Sequence, residues 1–145
     1  MLRRLLTTTA PAMTLLIRLM VGAVFVSEGI QKFLYPDQIG SGRFAKIGLP
    51  APDILGPFVG SVEILSGTLV LLGLGARLAA VPLIVIMCVA LATTKCPILV
   101  DRGFWAAAHE ARTDWSMLLG SLFLLIDGAG PWSIDAKLSK LPGRR

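Results

Sequence analysis

An all-α fold, an integral membrane four-helix bundle with both termini on the same, cytoplasmic side, is predicted for this chain by three observations. First, 54% of its residues are hydrophobic and only 16% charged, with a mean hydropathy of +0.75. A soluble domain carries about 25% charged residues. Second, four apolar stretches alternate with polar segments rich in Gly and Pro, and a bilayer crossing takes about 20 helical residues. Third, the few charges inside those stretches fall on the same helical faces as small residues. The 145 residues read as one transmembrane domain with spans of about 14–33, 55–74, 77–95 and 112–129.

The second span is the organising stretch. Within GPFVGSVEILSGTLVLLGL, Glu63 lies near the middle. A carboxylate at that depth costs roughly 2.5–3.5 kcal/mol on insertion scales, so it is expected to have a partner or a task. Gly56, Gly60, Glu63 and Gly67 recur at helical spacing and share one face. Small residues let helices approach closely, so Glu63 is predicted to point into protein.

The first span follows a start with Arg3 and Arg4 that resembles the opening of a signal peptide. No small-x-small cleavage site closes it, so it is read as an uncleaved span. Arg18, Gly22, Phe25, Glu28, Gly29 and Lys32 share one face at about 100° per residue. Glu28 and Lys32 are four apart, the spacing of a helical ion pair. In the plain reading they pair with each other, while Arg18 and Lys32 snorkel to opposite interfaces.

The next segment, YPDQIGSGRFAKIGLPAPD, is a loop with a short turn on the membrane surface at FAKIGLP. The Ala51-Pro52 pair or Asp53 starts the second span, which ends near Gly73 and Gly75. The tight link there makes the second and third spans an antiparallel hairpin. Pro82 is tolerated in the third span, and Pro97 is expected to stop it after Thr93, Thr94, Lys95 and Cys96. Ile98 to Thr113 reads as a second long loop, with Phe104 and Trp105 suited to an interface and the sole histidine, His109, near its end. The fourth span opens with Arg112, Thr113 and Asp114. The tail, SIDAKLSKLPGRR, is read as basic and interfacial or frayed.

Charge and cysteine content narrow the function classes. The net charge is +5 and the isoelectric point about 9.8. The basic residues flank spans and form no stripe with aromatics, which points to topology and membrane lipid and away from nucleic acid. Arg3, Arg4, Arg77, Lys137, Lys140, Arg144 and Arg145 lie on the terminal side; Lys32, Arg43, Lys46, Lys95, Arg102 and Arg112 lie on the other. Seven against six favours cytoplasmic termini. Cys88 and Cys96, about 12 Å apart along a helix, cannot pair with each other. Cys88 is read as a small core residue. No metal site is assigned, because His109, Glu110 and Asp114 lack a firm ligand spacing.

The alternation of spans gathers Glu28, Lys32, Lys95, His109, Arg112 and Asp114 at one mouth of the bundle, with Glu63 at the bottom of a polar funnel. These are the candidate ligand-binding or proton-exchanging residues; no catalytic residue is assigned.

Four pieces then carry a resemblance: R-L-x-x-G-x-x-F-x-x-x-G-x-x-K-F at Arg18 to Phe33, P-F-V-G-S-V-E-x-x-x-G at Pro57 to Gly67, L-G-L-G-A-R-L-A-A at Leu72 to Ala80, and G-A-G-P-W-S-I-D at Gly128 to Asp135. In order and spacing they resemble the DoxX family of small membrane proteins. The resemblance implies a four-helix bundle in a bacterial inner membrane. It also implies a role like that of a small subunit of a thiosulfate:quinone oxidoreductase, or of a membrane anchor in a larger assembly. Fold membership says little about chemistry.

Three readings of function stand on the sequence. The first is an accessory subunit linked to an oxidoreductase, with a quinone pocket edged by Glu63, Glu28, His109 and Asp114. No cofactor is intrinsic to it, since one histidine and two separated cysteines hold neither a bis-histidine haem nor an iron–sulfur cluster. The second is a carrier for a small molecule or lipid. The third is a structural subunit, partnered by an oxidoreductase or by a second copy of itself, in which Glu63 pairs with Arg112, Lys95 or Lys32 to fix helix register.

Overall fold

A computed structural model describes residues 10–140, so the terminal arginines Arg3, Arg4, Arg144 and Arg145, which entered the charge comparison, lie outside the described residues. Among the described residues every regular element is helical: α1 (Thr14–Leu34), α2 (Ser41–Lys46), α3 (Pro52–Leu72), α4 (Ala76–Ala90), a π turn (Leu91–Lys95), α5 (Cys96–Arg102), α6 (Phe104–Asp127) and α7 (Ile134–Lys140). Among the described residues three stretches are long and apolar enough to cross a bilayer: Thr14–Leu34, Pro52–Leu72 and Ala76–Arg102. Helix α6, at 24 residues, is longer than α1 or α3 but more polar, since it carries Glu110, Arg112, Asp114 and Asp127.

Helices α1 and α3 make the most extensive contact, α4 packs on α6, and α3 and α4 form the predicted hairpin. Its link needs Gly73 and Gly75, both in the left-handed region at φ 65° and 58°, where glycine carries no Cβ penalty. The core joins Val21 and Phe25 of α1, Val70 of α3, Leu83 and Met87 of α4, and Met117, Leu118 and Leu124 of α6. Large apolar side chains such as Leu16, Phe58, Leu65 and Val85 face outward, as a lipid-facing surface requires.

Four expectations are corrected here. Pro97 does not stop the third apolar stretch. It occupies the first turn of α5, where a missing N–H removes no helical bond. The preceding π turn lets the chain continue, with Cys96 N–H donating to the carbonyl of Leu91. The hydroxyls of Thr93 and Thr94 donate to the carbonyls of Val89 and Ala90.

The second long loop is absent as well. Its place is taken by α5, a single-residue corner at Gly103 (φ 82°) and the start of α6 eight residues earlier than expected. The surface turn expected at FAKIGLP is preceded by a helix: α2 runs through Lys46 and packs on α3, and the chain turns at Ile47 and Gly48. The tail through Lys140 is also ordered: α7 buries Asp135 and Ala136.

Candidate functional site

The seam between α1 and α3 is built from glycine. A Cβ on Gly29 would lie 2.6 Å from the Gly60 carbonyl oxygen, and one on Gly22 would lie 2.8 Å from that of Gly67. The helices therefore meet backbone to backbone, which only glycine permits. The predicted faces are the ones buried: Arg18, Gly22, Phe25 and Gly29 on α1, and Gly56, Gly60, Glu63 and Gly67 on α3.

Glu63 lies within this seam at 2% exposure. Lys32 Nζ stands 2.6 Å from Glu63 Oε2, and both side chains are almost sealed from solvent. No further donor reaches that oxygen among the described residues. Glu28, half-buried one turn before Lys32, acts on Glu63 as a repelling charge. The Glu28–Lys32 pair expected from their spacing is therefore not the one formed. A surface pair at that spacing gives a few tenths of a kcal/mol, whereas a buried carboxylate left alone costs several. Lys32 goes where a charge is needed.

The other candidates do not join this pair. Lys95, the last residue of the π turn, stands 3.2 Å from Asp114 of α6, both partly shielded. His109 and Arg112 are exposed, and an Arg112 N–H donates to the carbonyl of His109 one turn earlier. Of the three cations expected as partners for Glu63, only Lys32 reaches it. The polar mouth thus resolves into two separate ion pairs. Two surface grooves lie elsewhere. One runs along the outer face of α1 past Ala23, Ser27, Gln31 and Tyr35, and the other lies between Leu72 and Trp132. Glu63 lines neither.

Cys88, expected in the core, is exposed, as is Cys96, and both thiols are free. Among the described residues no three His, Cys, Asp or Glu side chains stand close enough to hold a metal.

Two buried charges at the opposite end were missed. Arg18 does not snorkel; it is 2% exposed. Its Nε donates to the Val70 carbonyl at 2.9 Å, and its terminal nitrogens donate to Leu71, to Ala129 at 3.3 Å and to Trp132 at 2.6 Å. Asp135, also 2% exposed, accepts from the backbone N–H of Gly75 at 2.7 Å and of Ala76 at 3.1 Å. It thereby satisfies orphan donors at the start of α4. The signals were a lone arginine within an apolar run and an acid closing G-A-G-P-W-S-I-D.

Comparison with known proteins agrees with this architecture. The chain is 54% identical to an uncharacterized membrane protein of Mycobacterium tuberculosis over 143 aligned residues, covering 94% of this chain and 88% of the relative. No solved structure matches. The DoxX family model matches residues 13–95, which hold the glycine seam, the Lys32–Glu63 pair, the first two apolar stretches and most of the third. With more than half its length matched, this chain belongs to the DoxX family and is an integral, multi-pass membrane protein.

Proposed function

We propose that the protein is an accessory membrane subunit whose buried charges fix the arrangement of its helices so that it can seat a partner. The observation that carries this reading is the Lys32–Glu63 pair at 2.6 Å, with both side chains almost sealed in the α1–α3 seam. A ligand or proton site needs a path to the acid; a register lock needs only the pair. The membrane is a bacterial inner membrane. The partner, by the family resemblance, is an oxidoreductase that passes electrons through a diffusible quinone. On this reading α6 is the fourth span, since its 24 residues reach about 36 Å at helical rise, and both termini lie on the cytoplasmic side.

A second reading has Glu28 in its favour. With Lys32 spent on Glu63, the half-buried Glu28 leaves an uncompensated negative charge, which suits a carrier of a cationic or amphiphilic small molecule.

Native mass spectrometry of protein gently extracted from its own membrane, with quinone and lipid analysis of the same sample, separates the readings. The accessory reading expects a partner bearing a redox cofactor. A bare monomer or homodimer overturns that part of it. The register lock is tested by exchanging the charges, Lys32→Glu with Glu63→Lys. A lock tolerates the exchange with most of the thermal stability retained. An acid that works through protons or ligand loses function in the exchanged protein although the fold survives.

A further inference from the structure

The opposite end of the molecule holds a groove of roughly 380 Å³ lined by Leu72, Pro131, Trp132, Ser133, Ile134 and Lys137. We propose that it is a binding site for one anionic phospholipid, with the headgroup phosphate on Lys137 and Lys140 and the upper acyl chain along Leu72 and Trp132.

The position fits. Leu72 is the last residue of α3, so the groove opens where the hydrocarbon layer gives way to headgroups. The lining combines apolar and basic residues. Leu72, Pro131 and Trp132 form the apolar wall, and an exposed tryptophan suits that boundary. Lys137 lines the groove and Lys140 follows one turn later on α7, both exposed. Neither has an acidic partner among the described residues.

Acids at this end do not cancel that charge. Arg18, Arg77, Lys137 and Lys140 outnumber Asp127 and Asp135 at this end, and Asp135 lies buried with both oxygens accepting from backbone N–H groups. The two lysines thus present unbalanced positive charge, which favours an anionic over a zwitterionic headgroup by roughly five-fold per lysine. The apolar wall favours a lipid over a free phosphate.

The site is also rigid. The Trp132 carbonyl is held by Arg18 at 2.6 Å. Ser133 Oγ donates to the Gly130 carbonyl at 2.6 Å and accepts from Ala136 N–H at 3.1 Å. Asp135 N–H donates to the Gly73 carbonyl at 2.9 Å. Walls fixed in advance lose little to ordering when a ligand arrives.

The experiment is native mass spectrometry of the full-length protein titrated with phosphatidylglycerol or phosphatidylcholine of the same chain length. The expected result is retention of phosphatidylglycerol at least ten-fold over phosphatidylcholine, consistent with two lysines at roughly five-fold each. Lys137→Ala lowers that preference about five-fold, while Lys46→Ala on α2, away from this groove, leaves it unchanged. Circular dichroism checks that the variants stay folded. In a Trp105→Phe, Trp115→Phe background, brominated phosphatidylglycerol quenches Trp132 fluorescence more than brominated phosphatidylcholine does. Three outcomes overturn the proposal: equal retention of the two lipids; an equal loss with Lys46→Ala, which means general charge attraction; and binding of glycerol phosphate as tight as that of the lipid, which means an anion site.

Discussion

Arg18 and Glu63 are buried to the same 2% on adjoining helices, yet their charges are satisfied in different ways. Arg18 donates to main-chain carbonyls alone, two from the last turn of α3 and two from the segment after α6. Glu63 relies on one lysine side chain. The difference follows from where each charge meets α3. A helix end has carbonyls with no intrahelical partner and carries partial negative charge, so a cation there is solvated by backbone. At mid-helix every backbone group is already bonded within the helix, so only a second charged side chain can answer a carboxylate. The two sites predict different responses to mutation.

The largest effect is expected at Glu63. Glu63→Leu leaves Lys32 buried without its partner and destabilises the protein by about 3–5 kcal/mol, the range for breaking a buried pair from one side. Adding Lys32→Met removes the stranded charge and recovers most of the loss. Reversible unfolding in mixed micelles measures both. A double variant as unstable as the single one would show that the glycine seam, and not the pair, was damaged.

Arg18→Ala is expected to cost somewhat less, about 2–3 kcal/mol by the range for hydrogen bonds to a charged group, because carbonyls near a span end can recruit water. Arg18→Lys separates charge from geometry. A lysine supplies the charge but not the planar fork that serves four carbonyls on two segments, so it restores only part of the stability. Full rescue by lysine would mean that charge alone suffices and would erase the contrast with Glu63.

A smaller effect is expected at Asp135, which caps α4 from the tail. Asp135→Ala costs about 1–2 kcal/mol, the upper half of the range for a lost helix cap. It acts first on α7, so trypsin should cut at Lys137 and Lys140 sooner than in the parent while α1 and α3 stay protected. Simultaneous cleavage throughout the bundle would show that the clasp supports the whole fold.

The same contrast explains which parts were legible in the sequence. The α1–α3 seam was readable because glycine spacing and a lone acid at mid-span are local patterns. Gly22, Gly29, Gly60, Glu63 and Gly67 all fall where helical periodicity put them. The partner of Glu63 was narrowed but not chosen, since Lys32 had a nearer acid in sequence at Glu28. Arg18 was visible as a residue but not as a site, because its acceptors are carbonyls, and carbonyls leave no mark on residue type. Pro97 misled because a proline ends a helix only when its N–H is needed. Here a π turn shifted the register just before it, and neither threonine ahead of it announces such a turn.

The smallest effect is expected at Lys95–Asp114, which tests whether depth alone decides the strength of a pair. Its nitrogen–oxygen distance is 3.2 Å against 2.6 Å for Lys32–Glu63, and its side chains are 16% and 22% exposed against 8% and 3%. Water and headgroups can replace either partner at that exposure, so Asp114→Asn should cost less than about 1 kcal/mol, as for surface pairs. The loss should shrink further in high salt, which screens exposed charges but not sealed ones. Unfolding of Asp114→Asn and Glu63→Gln in low and high salt compares the two directly. A large, salt-insensitive loss at Asp114 would mean that the π turn depends on this pair to face α6. The second ion pair would then be a structural lock equal to the first, and burial would not be what separates them.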